Sequence, residues 1–438
     1  MKNNIERIYK KLITSSFIKS SSVYTISGFI NAAIPLMLLP VLTRYLSPAD
    51  YGIVAMFQIA VSITYPLIGM NLEGGVGRKY YDKDNSELSS YIGTSLLIFS
   101  LGFLFVALII TLFNEFIFHI TQIPKIWIKF IVIVSASQFL VNLLLIIFQV
   151  MVEPLKYAVL QISRSIFNIG LTLYLVVLFD KTWDGRIQSQ ILTGVIFGLI
   201  SLFFLFKKKM IKFRIKKKDI NYALKFGIPL IPHALGAILF TAIDRFFVTD
   251  LLGLEETGNY SVAFQLAAVV GILTISINNA FVPWLFENLN KNSKTINEKI
   301  VRWTYFYFIA LIFFALFVII ILPFVIRVFV GKSFNNLNTY TTFIVFGFVF
   351  QGMYYMVTNY ILYANKTYIQ AIVTISIAII KIPITYFLII WLGGFGASLS
   401  YCITFFLFFI TTWFLSSNVY EMPWKSVLLN SFTQKKNR

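Results

Sequence analysis

Strongly apolar stretches occupy positions 22–43, 53–71, 91–113, 126–151, 158–179 and 191–206, then 226–252, 260–285, 303–324, 342–363, 369–391 and 397–415. Little soluble chain joins them. A helix needs roughly 20 mostly apolar residues to cross a hydrocarbon core of about 30 Å, and it satisfies its own backbone hydrogen bonds where lipid cannot. Of the 438 residues, 58% are hydrophobic and 13% charged, about half the charge density of a soluble domain. The period-two alternation of a barrel is absent. The chain is therefore expected to be an all-α integral membrane protein of twelve transmembrane helices, working within or across the bilayer. A membrane polymerase or ligase would need a sizeable outer loop for its catalytic groups. Here the outer loops are short, as at 252–258 and 393–394, so the chain is read as a transporter and not an enzyme.

The formal charge is +19. With the N-terminus placed in the cytoplasm, most Lys and Arg fall in inner segments and few in outer loops, which fits the positive-inside rule and puts both termini in the cytoplasm. The run 207–218, KKKMIKFRIKKK, supplies eight of these charges and reads as a stop-transfer anchor touching anionic lipid. No nucleic-acid-binding fold accompanies it. Residues 1–19 are polar and basic, with Ile5, Ile8, Tyr9, Leu12 and Ile13 at helical spacing. This pattern predicts an amphipathic helix on the inner surface. Cys402 is the single cysteine, so no intramolecular disulfide can form. Two histidines and one cysteine give no support for a metal site.

The basic run lies near the midpoint, between the sixth and seventh spans. The expected organisation is a six-helix bundle over 1–206, a cytoplasmic linker over 207–221, and a second six-helix bundle with a cytoplasmic tail over 222–438. After the first span the chain reads Asp50-Tyr-Gly52 and then Phe57-Gln58; after the seventh it reads Glu256-Thr-Gly258 and then Phe264-Gln265. An even number of helices per half makes both halves enter from the same side, giving a parallel repeat with substrate sites expected between the halves near the midplane.

Ionisable residues inside spans are few, and each costs roughly 2.5–3.5 kcal/mol to insert, so they face protein or water. Lys381 and Arg164 are candidates to line a cavity and attract an anion such as a diphosphate; structural pairing or snorkelling is the alternative. Asp244 and Arg245 are adjacent, so their side chains diverge by about 100° and each needs a partner on another helix or water. His233 is a candidate for proton coupling, although a lone histidine is more often structural. Glu73 and Arg78 flank Gly74, Gly75 and Gly77; the segment reads as a tight turn in an inner gate or as a loop salt bridge. It lacks the Lys-Ser/Thr of a phosphate loop. Pro35, Pro40, Pro229, Pro232 and Pro383 fall inside expected spans and are hinge candidates. Asn278, Asn279, Gln351 and Asn359 are placed to bond between helices.

Phe226-Gly-Ile-Pro229-Leu-Ile-Pro232, Asp244-Arg245-Phe-Phe-Val, Leu251-Leu-Gly253 and Gly258-Asn-Tyr260-Ser-Val-Ala-Phe264 together resemble the Wzx-type oligosaccharide flippases. These form the polysaccharide transporter branch of the multidrug/oligosaccharidyl-lipid/polysaccharide (MOP) exporter superfamily. Tyr45-Leu-Ser-Pro48-Ala-Asp50-Tyr-Gly52 is similar to that family's first outer turn. Gly69-Met-Asn-Leu-Glu73 with Arg78-Lys-Tyr80-Tyr81 resembles the end of its second helix, and Phe281-Val-Pro283-Trp284 the end of its eighth. The resemblance implies two six-helix bundles arranged as a V in the bacterial cytoplasmic membrane. It implies alternating access and an undecaprenyl-diphosphate-linked oligosaccharide as cargo, of the kind used for O-antigen, capsule or exopolysaccharide. It makes Arg245 a cavity candidate beside Lys381 and Arg164, and Asp244 a gate or ion-coupling candidate. No cofactor is implied beyond coupling to protons or sodium. The partners implied are membrane lipids and polysaccharide assembly proteins, around a monomer. A cation-coupled multidrug antiporter of the same superfamily is the competing reading; it would need a carboxylate-rich site, whereas cations outnumber carboxylates within these spans.

Overall fold

A computed structural model of the chain describes residues 16–81, 88–214, 216–291 and 293–427. The amphipathic helix expected over 1–19 lies almost wholly outside them. All regular structure among the described residues is helical. The six spans of the first half correspond to α1 (Ser16–Tyr45), α2 (Pro48–Gly69), α4 (Leu88–Leu112), α6 (Lys125–Val150), α7 (Pro154–Leu173, continuing as a π-helical turn over Tyr174–Leu178) and α8 (Trp183–Lys207). Short helices α3 (Leu72–Lys79), α5 (Asn114–Thr121) and α9 (Lys217–Gly227) lie between or after them. The second half supplies α10 (Leu230–Leu252), α11 (Leu254–Leu289), α12 (Lys294–Phe329), α13 (Leu337–Tyr363), α14 (Thr367–Leu392) and α15 (Gly394–Val419). Eleven helices among the described residues are long and apolar enough to cross a membrane. The expected first span lies within α1, which runs unbroken for 30 residues.

The duplication expected from the turn motifs reappears in the packing. In the first half the fourth span packs on the second, third, fifth and sixth, the second also meets the third and sixth, and the fifth packs on the sixth. The same pairings recur in the second half, with α13 as the central fourth span touching α11, α12, α14 and α15. The repeated turns explain how each second span begins. Ser47 and Asp50 form a reciprocal capping box at the start of α2. At the start of α11, Gly253 adopts φ +89°, a conformation glycine tolerates without penalty, and Glu255 and Glu256 occupy the first turn, where carboxylates meet the positive end of the helix dipole.

The chain divides into two compact units, Met1–Ala242 and Ile243–Arg438, with the boundary inside α10. The basic segment after α8 is docked on the first unit. Lys212 N–H donates to the Ser89 carbonyl at 2.9 Å, and the Ser90 hydroxyl lies 2.8 Å from the Arg214 carbonyl and 3.1 Å from buried Asp219. A methyl group on Gly93 would strike the Lys212 carbonyl, and one on Gly227 the Met70 carbonyl. α9 therefore packs against α3 and α4, which extends the first unit past the linker expected at 207–221.

One local expectation changes. Gly74, Gly75 and Gly77 do not form the turn after the second span. That turn is made by Met70 and Asn71, at φ +47° and +50°. The glycines lie inside α3, where Gly75 leaves room for the Tyr91 hydroxyl and the Phe226 ring and Gly77 for Ile146. Pro229 and Pro232 lie within the candidate span Lys217–Leu252. Pro229 sits in the turn between α9 and α10, and Pro232 in the first turn of α10, where a missing N–H leaves no bond broken. Pro35 and Pro40 lie inside α1 and Pro383 inside α14.

Candidate functional site

Polar side chains gather on one face of several helices of the first unit. On α7, Gln161, Arg164, Ser165, Asn168 and Thr172 follow spacings of three and four, which align them along one stripe. On α8, Arg186, Ser189, Gln190 and Thr193 do the same. Together with Gln58 of α2 and Gln138 and Asn142 of α6, members of these stripes line a cavity of about 320 Å³, within the range of small-molecule sites. Among the described residues, no carboxylate lines it.

Arg186 is fixed by neutral groups. Its Nη1 donates to Asn168 Oδ1 at 2.8 Å and to Thr172 Oγ1 at 2.7 Å. Its Nε is buried without a partner, as are Gln161 Oε1 and Gln190 Oε1 on the same wall. Arg164 and Arg186 make no ion pair with a carboxylate among the described residues. Two guanidinium groups thus share a polar pocket with no counter-charge among the described residues. An unpaired charge removed from water is costly, and the cost falls when an anion enters. The arrangement can bind an anionic head group through fork-shaped N–H donors while amides meet neutral hydroxyls.

One polar chain leads from this cavity towards α3. Asn142 Nδ2 donates to the Tyr65 hydroxyl at 2.9 Å, and Tyr65 donates to Glu73 Oε1 at 2.6 Å. Glu73 Oε2 is buried without a partner. Burial pushes the Glu73 carboxyl above its ordinary range, against the opposing hydrogen bond from Tyr65. Glu73 is therefore joined to Tyr65 and not to Arg78, which is exposed.

The second unit treats its charges in the opposite way. Lys381 Nζ lies 2.8 Å from Asp244 Oδ2, and their side chains are 1% and 0% exposed. Thr385 donates to Asp244 Oδ1 at 3.3 Å and pairs with the Ser400 hydroxyl at 2.6 Å. Tyr260 approaches the same carboxylate at 3.4 Å. Lys381 was expected to line a cavity with Arg245 and Arg164; it is instead buried against a carboxylate, because α10 presents Asp244 to α14. Arg245 points elsewhere, as the divergence of adjacent residues requires. Its guanidinium lies 4.2 Å from the centre of the Phe264 ring, a cation–π contact.

Arg164 is the one expected cavity cation that lines the first-unit pocket, and Pro35 lies on its wall. His233 is exposed on α10. Asn359 donates to Asn278 at 3.0 Å, as expected of interhelical amides. Among the described residues no group of three His, Cys, Asp or Glu is placed to hold a metal. Arg186 was missed because 183–190 reads as loop by hydropathy, although it forms the first two turns of α8. The polar stripe of α7 was present in the sequence and would have pointed to it.

A family model described as polysaccharide biosynthesis protein matches residues 17–289. An uncharacterized membrane protein of Haemophilus influenzae is 26% identical over 360 residues, covering 80% of this chain and 85% of its own. Among solved structures, an inward-facing multidrug resistance MATE family transporter of the MOP superfamily aligns with a TM-score of 0.72 at 12% identity, covering 88% of this chain and 94% of its own. The lipid II flippase MurJ in an inward closed conformation aligns with a TM-score of 0.70 at 16% identity, covering 90% and 87%. At such identities the two structures establish the fold alone, an all-α multi-pass membrane fold.

Proposed function

Because the chain belongs to the polysaccharide biosynthesis protein family, we propose that it is a flippase of the MOP superfamily. Its cargo is an undecaprenyl-diphosphate-linked oligosaccharide, carried across the bacterial cytoplasmic membrane by alternating access. The observation that carries this reading is a cavity lined by Arg164 and Arg186, with no carboxylate on its wall and no ion pair to either arginine among the described residues. A diphosphate is a dense anion, and moving it through hydrocarbon is prohibitive unless cationic donors replace its water. The neighbouring amides and hydroxyls suit sugar hydroxyls. The polyprenyl tail stays in lipid, so no covalent chemistry is required, and the termini face the cytoplasm in line with the Lys/Arg asymmetry.

A multidrug antiporter shares the fold. For an organic cation, however, a cavity bearing two arginines and, among the described residues, no carboxylate is repulsive. The buried carboxylate Asp244 is already neutralised by Lys381.

The test is reconstitution into liposomes with a lipid-linked oligosaccharide on one leaflet. The wild type is expected to move it, and Arg164→Gln and Arg186→Gln to slow it by at least about tenfold, the weight of one lost charge-assisted hydrogen bond. Transport of organic cations with no movement of the lipid-linked sugar refutes the proposal.

A further inference from the structure

A second cavity, of about 550 Å³, lies in the other unit between α11, α12 and α13. Its chemistry differs from that of the polar pocket. On α12 its lining runs Lys299, Trp303, Phe306, Tyr307 and Ala310, positions i, i+4, i+7, i+8 and i+11 of one helical stripe. On α11 it runs Ile277, Phe281 and Trp284, at i, i+4 and i+7. The two helices are antiparallel neighbours in sequence, so both stripes have a tryptophan at the same end, and that end carries the cation. Each stripe is thus polar at one end and apolar along the rest.

That end lies at the membrane boundary. α11 and α12 have 36 residues each, about 54 Å of helix, well beyond a hydrocarbon core of about 30 Å. The surplus, with the turn that joins the two helices, carries Lys291, Lys294, Lys299 and Arg302. Lys291 is paired with Glu287 at 3.2 Å, whereas Lys299 is exposed and forms no ion pair among the described residues. The C-terminal residues Met422 and Trp424 pack onto the same end, against Leu285, Leu289, Ile300 and Val301. Within the slot, the Thr304 hydroxyl is spent on the Ile300 carbonyl at 3.0 Å, but the Tyr307 hydroxyl is buried with no partner. Trp303 and Phe306 are 53% and 62% exposed, which leaves the slot open on its lipid side.

We propose that this slot is a binding site for one anionic phospholipid. One acyl chain lies along Trp303, Phe306 and Phe281, the phosphate meets Lys299, and the Tyr307 hydroxyl donates to a glycerol-ester oxygen. A basic residue at the rim of an interhelical pocket selects an anionic head group, and the aromatic walls select a chain. A zwitterionic lipid fills the slot with its chain but gains no net attraction at Lys299. The site is independent of the cargo cavity, so its failure leaves the flippase proposal standing.

The full-length protein in detergent is titrated with phosphatidylglycerol or phosphatidylcholine, and retained lipid is counted by native mass spectrometry. Quenching of Trp303 by bromine-labelled lipids is read in parallel, with Trp303→Phe giving the background. The wild type is expected to retain one phosphatidylglycerol in preference to phosphatidylcholine. Lys299→Ala should weaken phosphatidylglycerol retention by about fivefold, the weight of one basic residue at an anionic surface, and leave phosphatidylcholine unchanged. Ala310→Phe should narrow the slot and abolish the quenching, and Tyr307→Phe should weaken retention of both lipids alike. Lys299 is an exposed surface residue, so its variant tests the proposal whether or not Ala310→Phe folds. Equal retention of the two lipids, indifferent to Lys299→Ala, overturns the proposal. So does displacement of phosphatidylglycerol by an equal concentration of polyprenyl phosphate, which would assign the slot to a prenyl chain.

Discussion

The two halves share one packing plan and handle charge in opposite ways. The first and fifth spans of the first half are tied by a neutral bond from Ser165 to Asn31 at 3.0 Å. The corresponding helices of the second half are tied by the buried Lys381–Asp244 pair at 2.8 Å. Among the described residues, one half lines a polar pocket with arginines that form no ion pair, and the other closes its lysine onto a carboxylate. The same set of helix pairings thus holds both a pocket lined by arginines and a buried lysine–carboxylate pair. The presence of a cation in a span does not reveal which of the two it serves. The partner decides, and the partner lies on a distant segment of sequence.

The sharpest way to break this comparison is to remove one member of the lock. Asp244→Ala leaves an uncompensated ammonium in the bundle and is expected to cost about 3–5 kcal/mol, seen as a large drop in the thermal midpoint in detergent. Asp244→Leu combined with Lys381→Met should recover most of that loss, since apolar residues of similar size often replace a buried pair without penalty. If the double variant is as unstable as the single one, the pair is not a self-contained lock. The same experiment on the first half should give the reverse pattern. Arg164→Gln removes no ion-pair partner, so stability should stay within about 0.5 kcal/mol of the wild type or rise, while anion binding falls.

A smaller effect tests the docking of α9 on the first unit. Gly227→Ala forces a methyl group onto the Met70 carbonyl and should cost about 1–3 kcal/mol as overpacking. Proteolysis of the basic segment after α8 should be accelerated in that variant.

The smallest effect concerns Glu73, whose carboxyl burial pushes above its ordinary range. The folded state then holds its proton at a pH where the unfolded chain has released it. Stability therefore falls as pH rises from the ordinary carboxylate range through the raised folded value. Glu73→Gln keeps an acceptor for Tyr65 and should flatten that part of the pH–stability curve. An unchanged slope would show that Glu73 does not titrate there.

Much of the fold was legible because hydropathy reports spans directly and the turns at Gly52 and Gly258 mark the repeat. Hydropathy failed at helix ends. The polar residues from Trp183 to Gln190 read as loop, yet they are helical because they face a polar cavity and not lipid. The run Gly74 to Gly77 read as a turn, since glycine's freedom is visible in sequence while the side chains that require its smallness, Tyr91 at Gly75 and Ile146 at Gly77, are not. At the site, Arg164 was found because a charge within a span is conspicuous. Gln161 and Asn168 were passed over singly, although their spacing on α7 was the stronger signal. The partnership of Lys381 with Asp244 spans 137 residues and has no local signature.

The most direct test of the central claim, that uncompensated arginines in the first half hold an anionic head group, is a binding measurement. A short-chain prenyl-diphosphate-linked sugar, soluble enough to titrate, is added to purified wild type and to an Arg164→Gln, Arg186→Gln double variant at two salt concentrations. The wild type should bind it saturably and the double variant at least about tenfold more weakly, with Lys381→Met in the Asp244→Leu background binding like wild type. Equal affinity of wild type and double variant, or loss of binding only when the Lys381–Asp244 pair is replaced, would contradict the account.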